Sequence, residues 1–183
     1  MKSKFLPLLL LCASPLLGQQ VNMKSITEKI PTYQIGSPEI DPIFFTGRVY
    51  QGAEGYIYAY PLNDVLTEKQ VQQDYNVLRL DNQYVDIAML PEIGGRIFAA
   101  ADKTNNYPFF YTQTGVKPAL IGMLGAWLSG GVEWNIPDHH RASSYMPINW
   151  TMKENKDGSK TIWVGETELR HRLKWSVGVS VYP

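Results

Sequence analysis

No pattern in this sequence limits the fold more tightly than LRHRLKWSVGVSV, Leu169–Val181, where the side chains alternate without a break. Leu169, His171, Leu173, Trp175, Val177, Val179 and Val181 fall on one side. Arg170, Arg172, Lys174, Ser176 and Ser180 fall on the other. A period of two puts alternate residues on opposite faces of a strand, whereas a helix would scatter the same set around its axis. The stretch therefore predicts a β-strand with one buried face, and it makes His171 a satisfied core histidine.

Upstream segments repeat the theme. YMPINWTMKEN and TIWVGETELR flank KDGSK, and Asp157-Gly158 reads as a two-residue hairpin turn between β-rich runs. YNVLRL and QYVDIAML form a second hairpin about Asp81-Asn82. GGRIFAAADK and YPFFYT continue as strands, and PIFFTGRVYQGAEGYIYAYPL suits a half-buried aromatic sheet surface. In ITEKIPTYQIGSPEI, Pro31 and Pro38 confine the extended chain to an edge or a covering segment. NDVLTEKQVQQ reads as one short helical turn, and PALIGMLGAWL fits a buried helix and a buried strand equally well. The plan is all-β and antiparallel, with at least seven strands.

With 183 residues, 44% hydrophobic and 19% charged, the chain can bury a core as one domain or part of one. Basic and acidic residues each number 17 and no long basic run occurs, which excludes a partner held by its phosphate backbone, so no nucleic acid is expected. Lys2 and Lys4 precede FLPLLLLCASPLLG, the charged and apolar regions of a secretory signal peptide over residues 1–18. The run is too short to span a bilayer securely, so no stable membrane span is expected after cleavage. Export to the periplasm or the extracellular space follows. A lipid anchor on Cys12 competes with this reading, but Leu11 stands where that signal wants a small residue. Cleavage removes two lysines and Cys12, the only cysteine, which leaves a net charge of −2 and no disulfide, thiolate or cysteine metal ligand. Residues 19–45 read as an extended N-terminal segment and residues 46–183 as a β-sandwich portion. Because the sequence stops at Val181-Tyr182-Pro183 inside a running strand, it reads as part of a longer gene product.

IPTY, RVYQGA, LDNQYVDIAMLPEIGGRIFAAADK, GAWLSGGVEWNIPDHHR and MPINW together resemble a bacterial domain of unknown function with a galactose-mutarotase-like fold, often found ahead of tetratricopeptide repeats. The resemblance implies an antiparallel β-supersandwich that is incomplete in this chain, with carbohydrate and downstream domains of the same gene product as partners. It also places the turn in LPEIGGRI, Leu90–Ile97, beside a sugar cleft, where Arg96 would hold a hydroxyl or carboxylate. The residues alone equally allow a plain turn, with Pro91 ending the ladder and Arg96 paired with Glu92 on the surface.

SGGVEWNIPDHHR, Ser129–Arg141, offers the richer chemistry. Opening a sugar hemiacetal needs a base at the anomeric hydroxyl and an acid at the ring oxygen. His139 and His140 are the candidate acids and Glu133 a candidate base. Being adjacent, the two histidines point opposite ways on an extended chain, so one of them enters the cleft. Trp134 would stack on a sugar face, while Asn135, Asp138 and Arg141 would bond its hydroxyls. The plain alternative has Asp138 capping a turn, Arg141 paired with it, and both histidines on backbone carbonyls. Metal ranks last, because neighbouring histidines do not readily chelate one ion and His171 lies far along the chain. No cofactor is expected, since phosphate-loop, serine-elbow and zinc-helix motifs are missing. In mutarotases the essential glutamate lies late in the fold, which would put it beyond Pro183. Function therefore divides between an enzyme on an aldose or glycoside, a non-catalytic glycan binder, and a structural module presenting attached repeats.

Overall fold

The computed structural model describes residues 20–45, 55–121, 124–137 and 140–183. The stretch read as a signal peptide, residues 1–18, lies outside them, as do Asp138 and His139. Twelve strands are described: β1 (Asn22–Ile35), β2 (Ile43–Phe45), β3 (Gly55–Ile57), β4 (Leu66–Asp81), β5 (Val85–Leu90), β6 (Arg96–Asp102), β7 (Tyr107–Pro108), β8 (Ala119–Leu120), β9 (Ala126–Trp127), β10 (Asn149–Glu154), β11 (Lys160–Glu168) and β12 (Leu173–Val181). A 3-10 turn over Ala142–Tyr145 precedes β10. The strands form a five-stranded sheet, β1-β4-β5-β6-β7, a three-stranded sheet, β10-β11-β12, and two small hairpins, β2-β3 and β8-β9. Every strand pair in these sheets is antiparallel. The chain is all-β, as the alternation requires.

The core grows from the two faces of β4. Leu78 and Leu80 point with Met89 toward Ile162, Val164, Trp175 and Val181 of the three-stranded sheet, filling the space between the two sheets. Tyr75 and Val77 point the other way, joining Ala88, Leu90, Ile93, Val116 and Leu128. YNVLRL is nearly continuously apolar because both of its faces are covered. Farther out, the β1–β4 ribbon leaves the core and is laced by cross-strand ion pairs, Lys29–Asp74 at 2.8 Å and Arg79–Glu28 at 2.8 Å. β1 forms the edge of its sheet, the place its prolines allow.

Several local expectations are corrected. NDVLTEKQVQQ holds no helical turn, because Leu66 onward is strand and pairs with β1 along nearly its whole length. A partner strand outweighs the modest helix preference of Glu, Lys and Gln. The Asp157-Gly158 turn is longer than two residues: Asn155 donates to Ser159 O at 2.8 Å, and Gly158 takes φ 83° in the loop between them. YPFFYT forms strand only at Tyr107–Pro108, and PALIGMLGAWL yields the short β8–β9 hairpin. The final alternation becomes strand only from Leu173. Trp175 and Val181 are buried, but Leu173 is 47% exposed and residues 169–172 form the turn into β12. His171 lies in that turn, exposed instead of in the core. The buried Glu168 carboxylate accepts its backbone N–H at 2.7 Å, and a side chain that captures a backbone donor in this way ends the strand.

Two glycine pairs bring the remaining loops together. Gly94 and Gly95 take φ 65° and 66° in the β5–β6 turn. A Cβ on Gly94 would lie 2.6 Å from Ser144 O, and one on Gly95 2.5 Å from Ile148 Cδ1. Gly130 and Gly131 are also left-handed, and a Cβ on Gly131 would collide with the Ile97 carbonyl. That close approach lets Val132 and Ile97 exchange hydrogen bonds of 2.9 and 3.1 Å, which ties the Ser129–Arg141 stretch to β6.

The inter-sheet core sets the stability of the molecule. Leu78→Ala should lower the free energy of unfolding by about 2–5 kcal/mol, while Leu173→Ala, on the exposed end of β12, should change it by less than about 0.5 kcal/mol. Urea titration of both variants checks the contrast.

Candidate functional site

The site is built on Glu133. Its Oε2 accepts a 2.7 Å hydrogen bond from Trp127 Nε1 on β9 and lies 3.3 Å from His140 Nδ1. The Trp127 and His140 rings meet edge to face, with centroids 5.4 Å apart at 83°. Asn135 Oδ1 accepts the His140 backbone N–H at 3.2 Å. These contacts hold His140 at φ 52°, a left-handed backbone that a non-glycine residue adopts at some cost. The imidazole side chain is 30% exposed and the carboxylate beside it 10%.

Glu133 Oε1 belongs to a small set of buried, unpartnered polar atoms that also includes Glu92 Oε2 and Arg96 Nε. It is buried and has no hydrogen-bond partner among the described residues. A carboxylate oxygen withdrawn from water without a donor costs more than a neutral group in the same position, so the site is complete only when water or a ligand hydroxyl supplies one.

The other predicted residues surround this pair in different roles. Trp134 donates from Nε1 to Gly95 O at 2.7 Å, and its ring packs against the inter-sheet core. Arg96 is 3% exposed; its Nη1 donates to Leu128 O at 2.5 Å and its Nη2 to Gly130 O. It does not pair with Glu92, whose Oε1 instead accepts the Asn76 N–H at 3.0 Å. Arg141, also 3% exposed, donates from Nη1 to Trp134 O and from Nη2 to Gly94 O at 3.0 Å. Its Nε lies 2.9 Å from Glu166 Oε1, and its guanidinium stacks 4.5 Å over the Trp175 ring. Burial pulls both arginine pKa values below the ordinary value, opposed by Glu133 at Arg96 and by Glu166 and Glu133 at Arg141.

The structure thus gathers Glu133, Asn135 and His140 at one point and sets Arg96, Trp134 and Arg141 in the backbone scaffold beneath it. Trp127 was not singled out in the sequence, because it sits in an apolar run whose secondary structure was open. Glu166 was missed as well. It faces inward on β11, and only the pairing of the two sheets brings it to Arg141. Among the described residues, no three His, Cys, Asp or Glu side chains converge as a metal cage would require.

A family model described as a domain of unknown function (DUF5107) matches residues 53–182. The crystal structure of a TPR-domain containing protein from Parabacteroides distasonis ATCC 8503 superposes with a TM-score of 0.74 at 18% identity, covering 88% of this chain. That likeness is one of fold. The chain spans 27% of the length of that protein.

Two outcomes follow from the buried polar groups. Arg141→Ala should destabilise the domain by about 3–5 kcal/mol in urea unfolding, because it leaves the Glu166 carboxylate without its ion-pair partner and two carbonyls without the guanidinium donor. Burial, opposed by the nearby Arg170, pushes the Tyr58 phenol up to about 12. The folded state therefore favours the neutral phenol, and the associated stability is complete below the ordinary tyrosine pKa of about 10 and lost as pH rises toward about 12. Tyr58→Phe should show a shallower fall in melting temperature across that window.

Proposed function

This chain belongs to the DUF5107 family, a domain of unknown function, and from that premise we propose that it is a carbohydrate-handling sandwich of the galactose-mutarotase type. In this reading residues 1–18 direct export, residues 19–45 form an extended lead-in, and residues 46–183 are the N-terminal part of the sandwich in a longer periplasmic or extracellular protein. The coverage of 27% of the neighbour's length supports the last point.

The observation that carries the reading is the buried, unpartnered Glu133 Oε1 beside the His140 imidazole. A sugar hydroxyl is a neutral donor of the size and polarity that oxygen lacks. Glu133 would accept that hydroxyl, and Trp127 fixes which carboxylate oxygen remains to do so. With its Nδ1 against a carboxylate, His140 has its ring orientation set, and it would pass a proton to or from the ring oxygen. As an enzyme on an aldose or glycoside, the full-length protein would add a carboxylate from beyond Pro183 as the base. As a glycan binder, the same groups would hold the sugar without turnover. A structural module presenting helical repeats is the second reading, and it is favoured by the likeness of fold to a TPR-domain containing protein.

Glu133→Gln, His139→Ala and His140→Ala in the full-length protein test the site through glycan affinity, turnover and melting temperature. His140→Ala should lower turnover by about 10²–10⁴-fold with the melting temperature nearly unchanged, as loss of a positioned general acid does. Glu133→Gln should weaken sugar binding by about tenfold or more, since a charge-assisted hydrogen bond becomes a neutral one. Variants that melt early with sugar affinity unaltered would sink the carbohydrate reading and leave the structural one.

A further inference from the structure

The outer face of the three-stranded sheet carries a second feature, whose lining includes neither Glu133 nor His140. Gly165 sits in the middle of β11, and the register surrounds it with six side chains on that face. Asn149 and Ser176 lie across from it, Trp163 and Thr167 lie two residues away along the strand, and Thr151 and Lys174 are diagonal neighbours. Where Gly165 lacks a side chain lies an open cavity of about 380 Å³, lined by these six and also by Trp150, Val164, Glu166 and Trp175. The glycine is required there, since a Cβ would collide with the Trp175 carbonyl.

The lining has a specific composition. Trp163 is 40% exposed, and a Cβ on Gly178 of β12 would come within 2.9 Å of its ring. The indole therefore packs over Gly178 and, half-exposed, lines the cavity. Among the described residues, none of the other five side chains hydrogen-bonds within the protein. Amide, hydroxyl and ammonium groups that a fold leaves unused around an aromatic platform suit a pyranose, whose apolar ring face stacks while its hydroxyls bond at the edge. Trp163 is the one large apolar side chain that the register puts on this face, among the described residues. A packed protein partner or a second copy would need a broad apolar centre, which the indoles of Trp163 and Trp150 among these polar side chains do not make. The charged side chains on this face are Lys174 at the cavity and Lys153 farther along, and Glu166, the carboxylate in the lining, is neutralised by its ion pair with Arg141.

We propose that this cavity is a glycan subsite for a sugar unit bearing a carboxylate, a uronic acid, with Trp163 as the stacking platform and Lys174 as the partner of the carboxylate. It is separate from the Glu133–His140 site and stands or falls independently of it.

Calorimetric titration of the intact protein with galacturonate oligomers, and with neutral galactose oligomers of equal length, tests the assignment. The uronide should bind, and Trp163→Ala should weaken it by about tenfold or more, whereas Trp163→Phe keeps a ring and most of the affinity. Lys174→Ala should abolish the preference for uronide over the neutral oligomer, and added salt should reduce that preference in the unsubstituted protein. Both side chains are exposed, so melting temperatures recorded on the same samples should match and separate binding from folding. Failure of the uronide to bind, equal binding of the neutral oligomer, or unchanged affinity in Trp163→Ala overturns the proposal. So does binding that is lost in Glu133→Gln alone, which would assign the sugar to the other site.

Discussion

The guanidinium of Arg141 ties together loops and strands that lie far apart in the sequence. It holds the carbonyl of Trp134 in the glycine-rich loop and that of Gly94 in the β5–β6 turn. It also meets Ser143 in the 3-10 turn and Glu166 on β11, and it lies over Trp175 on β12. An arginine can do this because its five donors are fixed in a plane and its π face is free to stack. A buried charge is costly unless paired, and here the pairing spans both sheets. Loops that would otherwise move separately are therefore fixed relative to one another.

Arg96 performs a parallel task on the other side of the loop, fastening Leu128 and Gly130. Between these anchors the chain turns on Gly130 and Gly131 and presents Glu133, Asn135 and His140 together. The division of labour has a physical basis. Long, multidonor side chains can collect scattered carbonyls, which leaves the shorter Glu133 carboxylate with an oxygen that no described residue bonds.

Much of the fold was legible because period two is a strong signal wherever one face is buried. The β10–β11 hairpin, β5, β6 and the edge position of β1 all follow from alternation, glycine and proline. The misread elements share one cause. TEKQVQQ has no apolar face to reveal its state, so its conformation depends on β1, which lies more than thirty residues earlier in the paired register. His171 continued an alternating pattern, but a hydrogen bond from its own backbone to Glu168 ended the strand. The β1 partner could not be identified from local residues, and Glu168, only three residues before His171, takes its capturing role from its burial.

The sequence by itself determined that the chain is an antiparallel β protein with a glycine-punctuated polar loop, because side-chain alternation and left-handed glycines are local properties of the backbone. Tertiary structure alone decided what each residue of that loop does. Arg96, Trp134 and Arg141 carry the same chemical promise in the sequence as Glu133 and His140, but burial against carbonyls commits the first three to the scaffold. Trp127 and Glu166 acquire their roles only when separate strands bring them within hydrogen-bonding distance. Hydrogen bonds are short-ranged and directional, so their partners are set by packing, which no local pattern of residues specifies.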